Sequence, residues 1–217
     1  MRVFFAGRSH LAIHLSEAAA LRGHEVTPVI TEADIAFIAE DTPTRDDGYR
    51  LLDYIAGIAR EWRGWFKGPM ALVSQVPPGF TRSLGLGFHY QADTLRLLDA
   101  RERALNPEMV IFGTADGGPV PEIFKRYYEA FRCPVLGMTL EEAEFTKVAI
   151  NCFLKAQVET TCELAAAAKK MGAKWGKVAN ALAHDSRIGA HAYLNPGRWD
   201  DSPHLVRDWR TLREMLA

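Results

Sequence analysis

Cysteine is scarce in this chain and wrongly placed for two of its common roles. Cys133, Cys152 and Cys162 are odd in number and form no Cys-x-x-Cys pair. That excludes a fully paired disulfide framework and a zinc ribbon, and it fits core thiols in a reducing compartment. No cysteine follows Cys162, so the rest of the chain offers no thiol nucleophile. Charge of one sign is lacking too: 26 Lys and Arg against 27 Asp and Glu leave a formal net charge of −1. No long-range positive field recommends nucleic acid or an anionic membrane surface as a partner. No apolar run approaches the length of a membrane span. The opening MRVFFAGRSHLAIHL carries His10 and His14 inside its apolar stretch and reads as strand, turn and helix, not as a targeting segment. Internal repeats and low-complexity segments are absent. The expectation is a cytoplasmic protein with no nucleic-acid or membrane partner.

What the chain does have is enough apolar material, 48% of 217 residues, for one large domain or two small ones. Strand-like and helix-like patterns alternate in the first half, the mark of a parallel α/β sheet. Strands are expected at Arg2–Ala6, Glu25–Ile30, Ala33–Ala39, Met70–Val76, Gly87–Gln91, Met109–Thr114 and Pro134–Met138, with five or six of them in one sheet. Helices are expected at Leu11–Arg22, closed by Gly23, and at Tyr49–Phe66 and Val120–Phe131. From Leu140 the pattern becomes one long helix to about Met171, followed by Lys174–Ala183 and Pro203–Leu216. The division predicted is a Rossmann-like domain over 1–139 and a helical dimerisation domain over 140–217. The stripe of Phe145, Val148, Ala149, Cys152, Phe153 and Ala156 offers more apolar surface than one neighbouring helix covers, which suggests a second subunit against the 140–172 helix.

Two patterns carry chemistry. Lys147 and Asn151 stand four residues apart, so one helix face presents an ammonium and an amide donor together, a pairing suited to a hydroxyl undergoing oxidation. The turn after the first strand, Gly7-Arg8-Ser9-His10-Leu11-Ala12, keeps the first glycine of a dinucleotide-binding turn and has serine and alanine for the other two. The acid that would grip the adenosine ribose is missing: Ile30 falls there, with Glu32 two residues on as a substitute.

Four segments in order resemble the UDP-glucose/GDP-mannose dehydrogenase family: ADIAFIAEDTPTRDDG from Ala33, SQVPPGFTR from Ser74, LNPEMVIFG from Leu105, and TLEEAEFTKVAINCFLKAQVETTCELA followed by DSRIGAHAYLNPG. The resemblance implies NAD or NADP held by Gly7, Ser9, His10, Leu11, Glu32, Thr42, Pro43, Thr44 and Gln75. It implies that Lys147 and Asn151 hold the substrate hydroxyl and the oxyanion formed from it, that Asp208 orients the lysine or a water, and that Arg187 reaches a sugar-nucleotide-like substrate from the partner of a homodimer. Asp93 falls at the family's acidic base, one methylene shorter, with Leu95 in the same segment beside the substrate; Gln75 stands at a family threonine.

The departure that matters most lies in residues 198–207, RWDDSPHLVR, where the family has its Gly-Gly-Ser-Cys loop and His204 stands in the cysteine's place. Without a thiolate no thioester forms, so oxidation to the acid has lost its covalent route. His204 is either an acid/base group or a solvated helix-start residue. Family members also continue into a nucleotide-sugar-binding domain beyond the point matching Ala217, so a full-sized nucleotide sugar is expected to bind weakly.

Two functions follow. One is an NAD(P)-dependent oxidoreductase limited to two-electron oxidation of a sugar or small anionic hydroxyl compound. The other is a catalytically inactive dimeric module that binds a ligand or a partner protein, marked by a nicotinamide pocket filled with side chains such as Arg8, Gln75 or Trp199.

Overall fold

A computed structural model describes residues 1–96, 98–197 and 203–217. The described residues form a seven-stranded sheet in the order β2-β1-β3-β4-β5-β6-β7. Its strands are β1 (Arg2–Ala6), β2 (Glu25–Val26), β3 (Ile35–Ile38), β4 (Met70–Leu72), β5 (His89–Gln91), β6 (Val110–Thr114) and β7 (Val135–Thr139). The helices are α1 (His10–Leu21), α2 (Leu52–Trp65), α3 (Phe80–Ser83), α4 (Ala100–Leu105), α5 (Glu122–Tyr128), α6 (Leu140–Lys170), α7 (Trp175–His184) and α8 (Pro203–Met215). The chain divides into two compact units, Met1–Lys147 and Val148–Ala217, with the boundary inside α6.

In the first unit β3, β4 and β6 are buried along their whole length, as strands covered on both faces must be, and β3 and β4 read as unbroken apolar runs. Val3, Leu11, Phe37, Phe112, Phe124 and Tyr127 belong to one core cluster. Phe112 and Phe124 lie 4.8 Å apart and Phe37 and Tyr127 5.1 Å, contacts worth about 0.5–1.5 kcal/mol each beyond their burial. Away from that cluster Phe4 meets Trp62 of α2 at 4.9 Å. Gly23 ends α1 as expected: at φ +87° it lets His24 N–H reach Ala19 O and its own N–H reach Ala20 O, both at 3.0 Å.

Three expectations change. The second strand stops at Val26 instead of Ile30, because Pro28 has no N–H to donate and Thr27 Oγ1 accepts from Val29 N–H in a local turn. Ile30 is instead buried in a single 3-10 turn, Ile30–Glu32. The sheet has seven strands, not five or six, and is not wholly parallel: β5 runs antiparallel to β6, a pairing that needs no full helical crossover, and the intervening segment carries only the six-residue α4. The fourth strand ends at Leu72, before Pro77 and Pro78, and the short helices α3 and α4 lacked enough periodicity to be read from sequence.

The first two turns of α6 belong to the sheet unit for identifiable reasons. A side chain at Gly113 would stand 3.0 Å from Ala143 Cβ, so glycine lets the helix approach β6. Glu144 is fully buried and accepts N–H bonds from Gly79 at 2.5 Å and Thr81 at 2.8 Å. In the second unit the segment before Pro196 is tied to α6 and α7. Tyr193 O accepts from Thr161 Oγ1 at 2.7 Å, Tyr193 N–H donates to Gln157 Oε1 at 3.1 Å, and Leu194 O accepts from Trp175 Nε1 at 2.9 Å.

Candidate functional site

Strands β1 and β3 are neighbours whose following helices differ, and the crevice beyond the carboxyl ends of such strands is where α/β sheets take ligands. Gly7 leaves β1 at φ +141°, and a Cβ there would collide with Ala39 O. Glycine is therefore required by the neighbouring strand's own backbone. Ser9 precedes α1 in extended conformation, but its hydroxyl does not cap the helix. Ser9 Oγ donates to Ala39 O at 3.2 Å and accepts from Asp41 N–H at 3.0 Å. The Glu40 carboxylate accepts from Arg8 N–H at 2.6 Å and from Ser9 N–H at 3.4 Å. His10 Nδ1 lies 2.6 Å from Asp41 Oδ2.

The crevice is thus rich in acids. Burial, more than any neighbour, pushes the Asp41 carboxyl up; the Asp93 charge adds to this, while His10 opposes it. Asp93 is buried, accepts from Gln75 Nε2 at 2.7 Å through one oxygen and from Leu95 N–H at 2.8 Å through the other. Thr42 is buried, Pro43 and Thr44 are exposed, and Thr44 bridges to Arg50. Leu11 lies fully buried in the core cluster, Leu95 lines a small cavity of about 30 Å³ with Tyr128 and Arg103, and Glu32 is exposed at the end of its 3-10 turn.

Along α6, Lys147 and Asn151 fall one turn apart and are both buried, at 8% and 7% exposure. Asn151 Nδ2 donates to Asp208 Oδ2 at 2.6 Å, and Asp208 on α8 is 1% exposed. Among the described residues no hydrogen bond or ion pair is recorded for the Lys147 ammonium. His204, in the first turn of α8, accepts from Arg207 Nη2 through Nδ1 at 3.3 Å. Arg187 is exposed and forms a two-toothed pair with Asp185, at 3.0 and 2.7 Å, which holds the Asp185 carboxyl below its ordinary range. Trp199 and the other residues of 198–202 lie outside the described residues, as does Leu97.

Two brought-together pairs were each half foreseen: Asn151 with Asp208 and Gln75 with Asp93 were named singly, and only the fold puts them in contact. Glu40, Asp41, Glu144 and Thr161 were missed. Glu40 and Asp41 had a signal, two successive acids directly after a buried strand that leads toward an expected anion site. Among the described residues no group of three or more His, Cys, Asp or Glu could hold a metal ion. A nicotinamide dinucleotide needs the backbone N–H groups of the Gly7–His10 turn for its pyrophosphate. Two of those donors, Arg8 N–H and Ser9 N–H, are engaged by the Glu40 carboxylate.

Residues 141–216 match the UDP-glucose/GDP-mannose dehydrogenase family, central domain. The chain is 28% identical over 181 residues to UDP-glucose 6-dehydrogenase TuaD of Bacillus subtilis, covering 76% of this chain and 39% of that protein. It is 26% identical over 182 residues to UDP-glucose 6-dehydrogenase YwqF of the same organism, covering 77% and 41%. The chain therefore spans about two fifths of the length of these curated relatives. Among solved structures, a UDP-glucose dehydrogenase from Pyrobaculum islandicum superposes with a TM-score of 0.81 at 23% identity, over 99% of this chain and 64% of that one. A GDP-mannose dehydrogenase from Pseudomonas aeruginosa gives 0.77 at 19%, over 91% and 60%. Residues 141–216 thus resemble the central domain of the UDP-glucose/GDP-mannose dehydrogenase family, and the solved dehydrogenases share the fold of the chain.

Proposed function

We propose that this chain is a ligand-binding member of the nucleotide-sugar dehydrogenase family, taking a sugar-type hydroxyl on the polar face of α6 without carrying it to an acid. The observation that carries the reading is Asn151: its amide is buried and held at 2.6 Å by an equally buried carboxylate, Asp208. A fixed amide one turn from the ammonium of a buried lysine is a preorganised receptor for a hydroxyl oxygen, with its positioning entropy already lost on folding. No thiol follows Cys162, and His204 Nδ1 is engaged by Arg207. The covalent half of an alcohol-to-acid oxidation therefore has no nucleophile among these residues.

A second reading, two-electron oxidation of the hydroxyl with NAD or NADP, is favoured by the same retained Lys147, Asn151 and Asp208. In it Lys147 polarises the hydroxyl and Asp208 orients the proton transfer. Exposed Phe145, Phe153 and Leu164 on α6 support association with a second copy, which light scattering reads directly.

The test is calorimetric titration of the chain with UDP-glucose and with glucose 1-phosphate, followed by the same titration of Asn151→Ala and Lys147→Met. Saturable binding weakened about tenfold by either substitution is the expected result. Binding that neither substitution disturbs sinks the reading, and so does no binding at all. Reduction of NAD or NADP on adding UDP-glucose would move the chain to the second reading.

A further inference from the structure

We infer that Glu40 is an internal substitute for the cofactor's phosphate: the chain fills its own dinucleotide seat with a carboxylate and for that reason takes no nicotinamide dinucleotide. The inference concerns the β1 turn alone and deepens the proposed ligand-binding reading, on which it rests, by naming the residue that closes the cofactor side.

Backbone N–H groups at the start of a helix carry partial positive charge and attract an anion, from solvent or from the chain itself. Here the anion comes from the next strand. Glu40 Oε2 lies 2.6 Å from Arg8 N and 3.4 Å from Ser9 N, and it would stand 2.9 Å from a Cβ built on Gly7. It sits over the Gly7–Ser9 part of the turn. A phosphate oxygen entering from solvent would meet the carboxylate at the donors it needs.

The placement is held by more than one contact. Ser9 Oγ bridges Ala39 O and Asp41 N–H, and His10 pairs with Asp41 at 2.6 Å, so the residues on both sides of Glu40 are fastened to the turn. Burial raises the Asp41 carboxyl, and the charge of Asp93 adds to it. A pyrophosphate would therefore approach three acidic side chains with only His10 and the exposed Arg8 to offset them, which is like-charge repulsion where the chemistry calls for attraction. On the cofactor's other side Ile30 is buried in its 3-10 turn at the place of the ribose-binding acid, and the carboxylate two residues on, Glu32, is exposed. Beside the turn a cavity of about 320 Å³ remains, lined by Gly7, Arg8, Glu40, Tyr54 and Trp62. Space is available; the donors are not.

The experiment compares NAD and ADP titrations of the wild-type chain, Glu40→Ala, Glu40→Gln and the exposed-acid control Glu163→Ala, at one ionic strength, with circular dichroism melts to confirm folding. Glu40→Ala is expected to bind both ligands at least about tenfold more tightly than wild type, the scale of one charge-assisted hydrogen bond released to a ligand. Glu40→Gln keeps the shape without the charge and falls between, and Glu163→Ala matches wild type. Equal affinity of wild type and Glu40→Ala overturns the inference, whether both bind or neither does. UDP-glucose titrated into the same proteins reports on the ligand-binding reading separately: its failure in every variant removes that reading while leaving any Glu40 effect on NAD intact.

Discussion

Asn151 on α6 and Asp208 on α8 lie 57 residues apart in sequence and meet through a 2.6 Å hydrogen bond with both side chains buried. Removing either member of such a buried pair deprives the other of a hydrogen bond away from water, which costs more than the pair contributes when intact.

Replacing Asp208 by alanine should lower stability by about 1–3 kcal/mol, and Asn151→Ala by a similar amount, while the double mutant costs less than the sum. Urea unfolding of the four proteins in a double-mutant cycle measures the coupling. Additive costs would show that the pair contributes no net attraction.

Glu144 predicts a second localised loss. Its carboxylate satisfies the N–H groups of Gly79 and Thr81 inside the first unit, so Glu144→Ala orphans two donors. A loss of about 2–3 kcal/mol is expected, with hydrogen exchange at Gly79 and Thr81 accelerated more than at β1 amides. Uniform acceleration would mean the loss is global and not at this cap.

The acids also set a direction for pH. Burial raises the Asp41 and Glu144 carboxyls above their ordinary values of 3.8 and 4.5. The folded state then holds these protons more tightly than the unfolded state. Their contribution is fully present below the ordinary values and declines as pH rises through the folded-state values. Asp99, Glu141 and Asp185, lowered by arginine partners, act in the opposite sense, but they are partly exposed and screened by solvent. The Glu144 contribution to stability should therefore decline as pH climbs above about 4.5, and Glu144→Gln should remove that component of the pH dependence. Denaturant midpoints across pH decide it; a slope unchanged in the variant counts against Glu144 as the source.

Gly7→Ala is expected to cost at least about 2 kcal/mol, because φ +141° is closed to alanine and its Cβ would strike Ala39 O. Gly64→Ala, in the exposed last turn of α2 with open space around the position, should be neutral or stabilising by contrast. Thermal melts of the two variants check the pair.

Much of the architecture was readable because periodicity is a local property. The long helix was expected from Leu140 to about Met171 and runs from Leu140 to Lys170, and the buried run at β3 gave itself away by its apolar residues alone. Glu25–Ile30 misled, since a run of β-branched residues looks like a strand whether or not its neighbour offers partners for all of it. Pro28 and the local bonding of Thr27 ended the pairing after two residues.

Site residues were legible one at a time, because residue types and spacings are written in the chain. Lys147 and Asn151 share a helix face by arithmetic, and the missing thiol after Cys162 needs no coordinates. Their partners are another matter. That Asp208 would meet Asn151, that Gln75 would meet Asp93, and above all that Glu40 would turn back onto the N–H groups of Arg8 and Ser9 depends on strands and helices brought side by side. Hydrogen bonding acts over about 3 Å, a distance that sequence separation does not encode. Composition and spacing determined which groups this protein possesses; the folded backbone decided which of those groups are already engaged with one another.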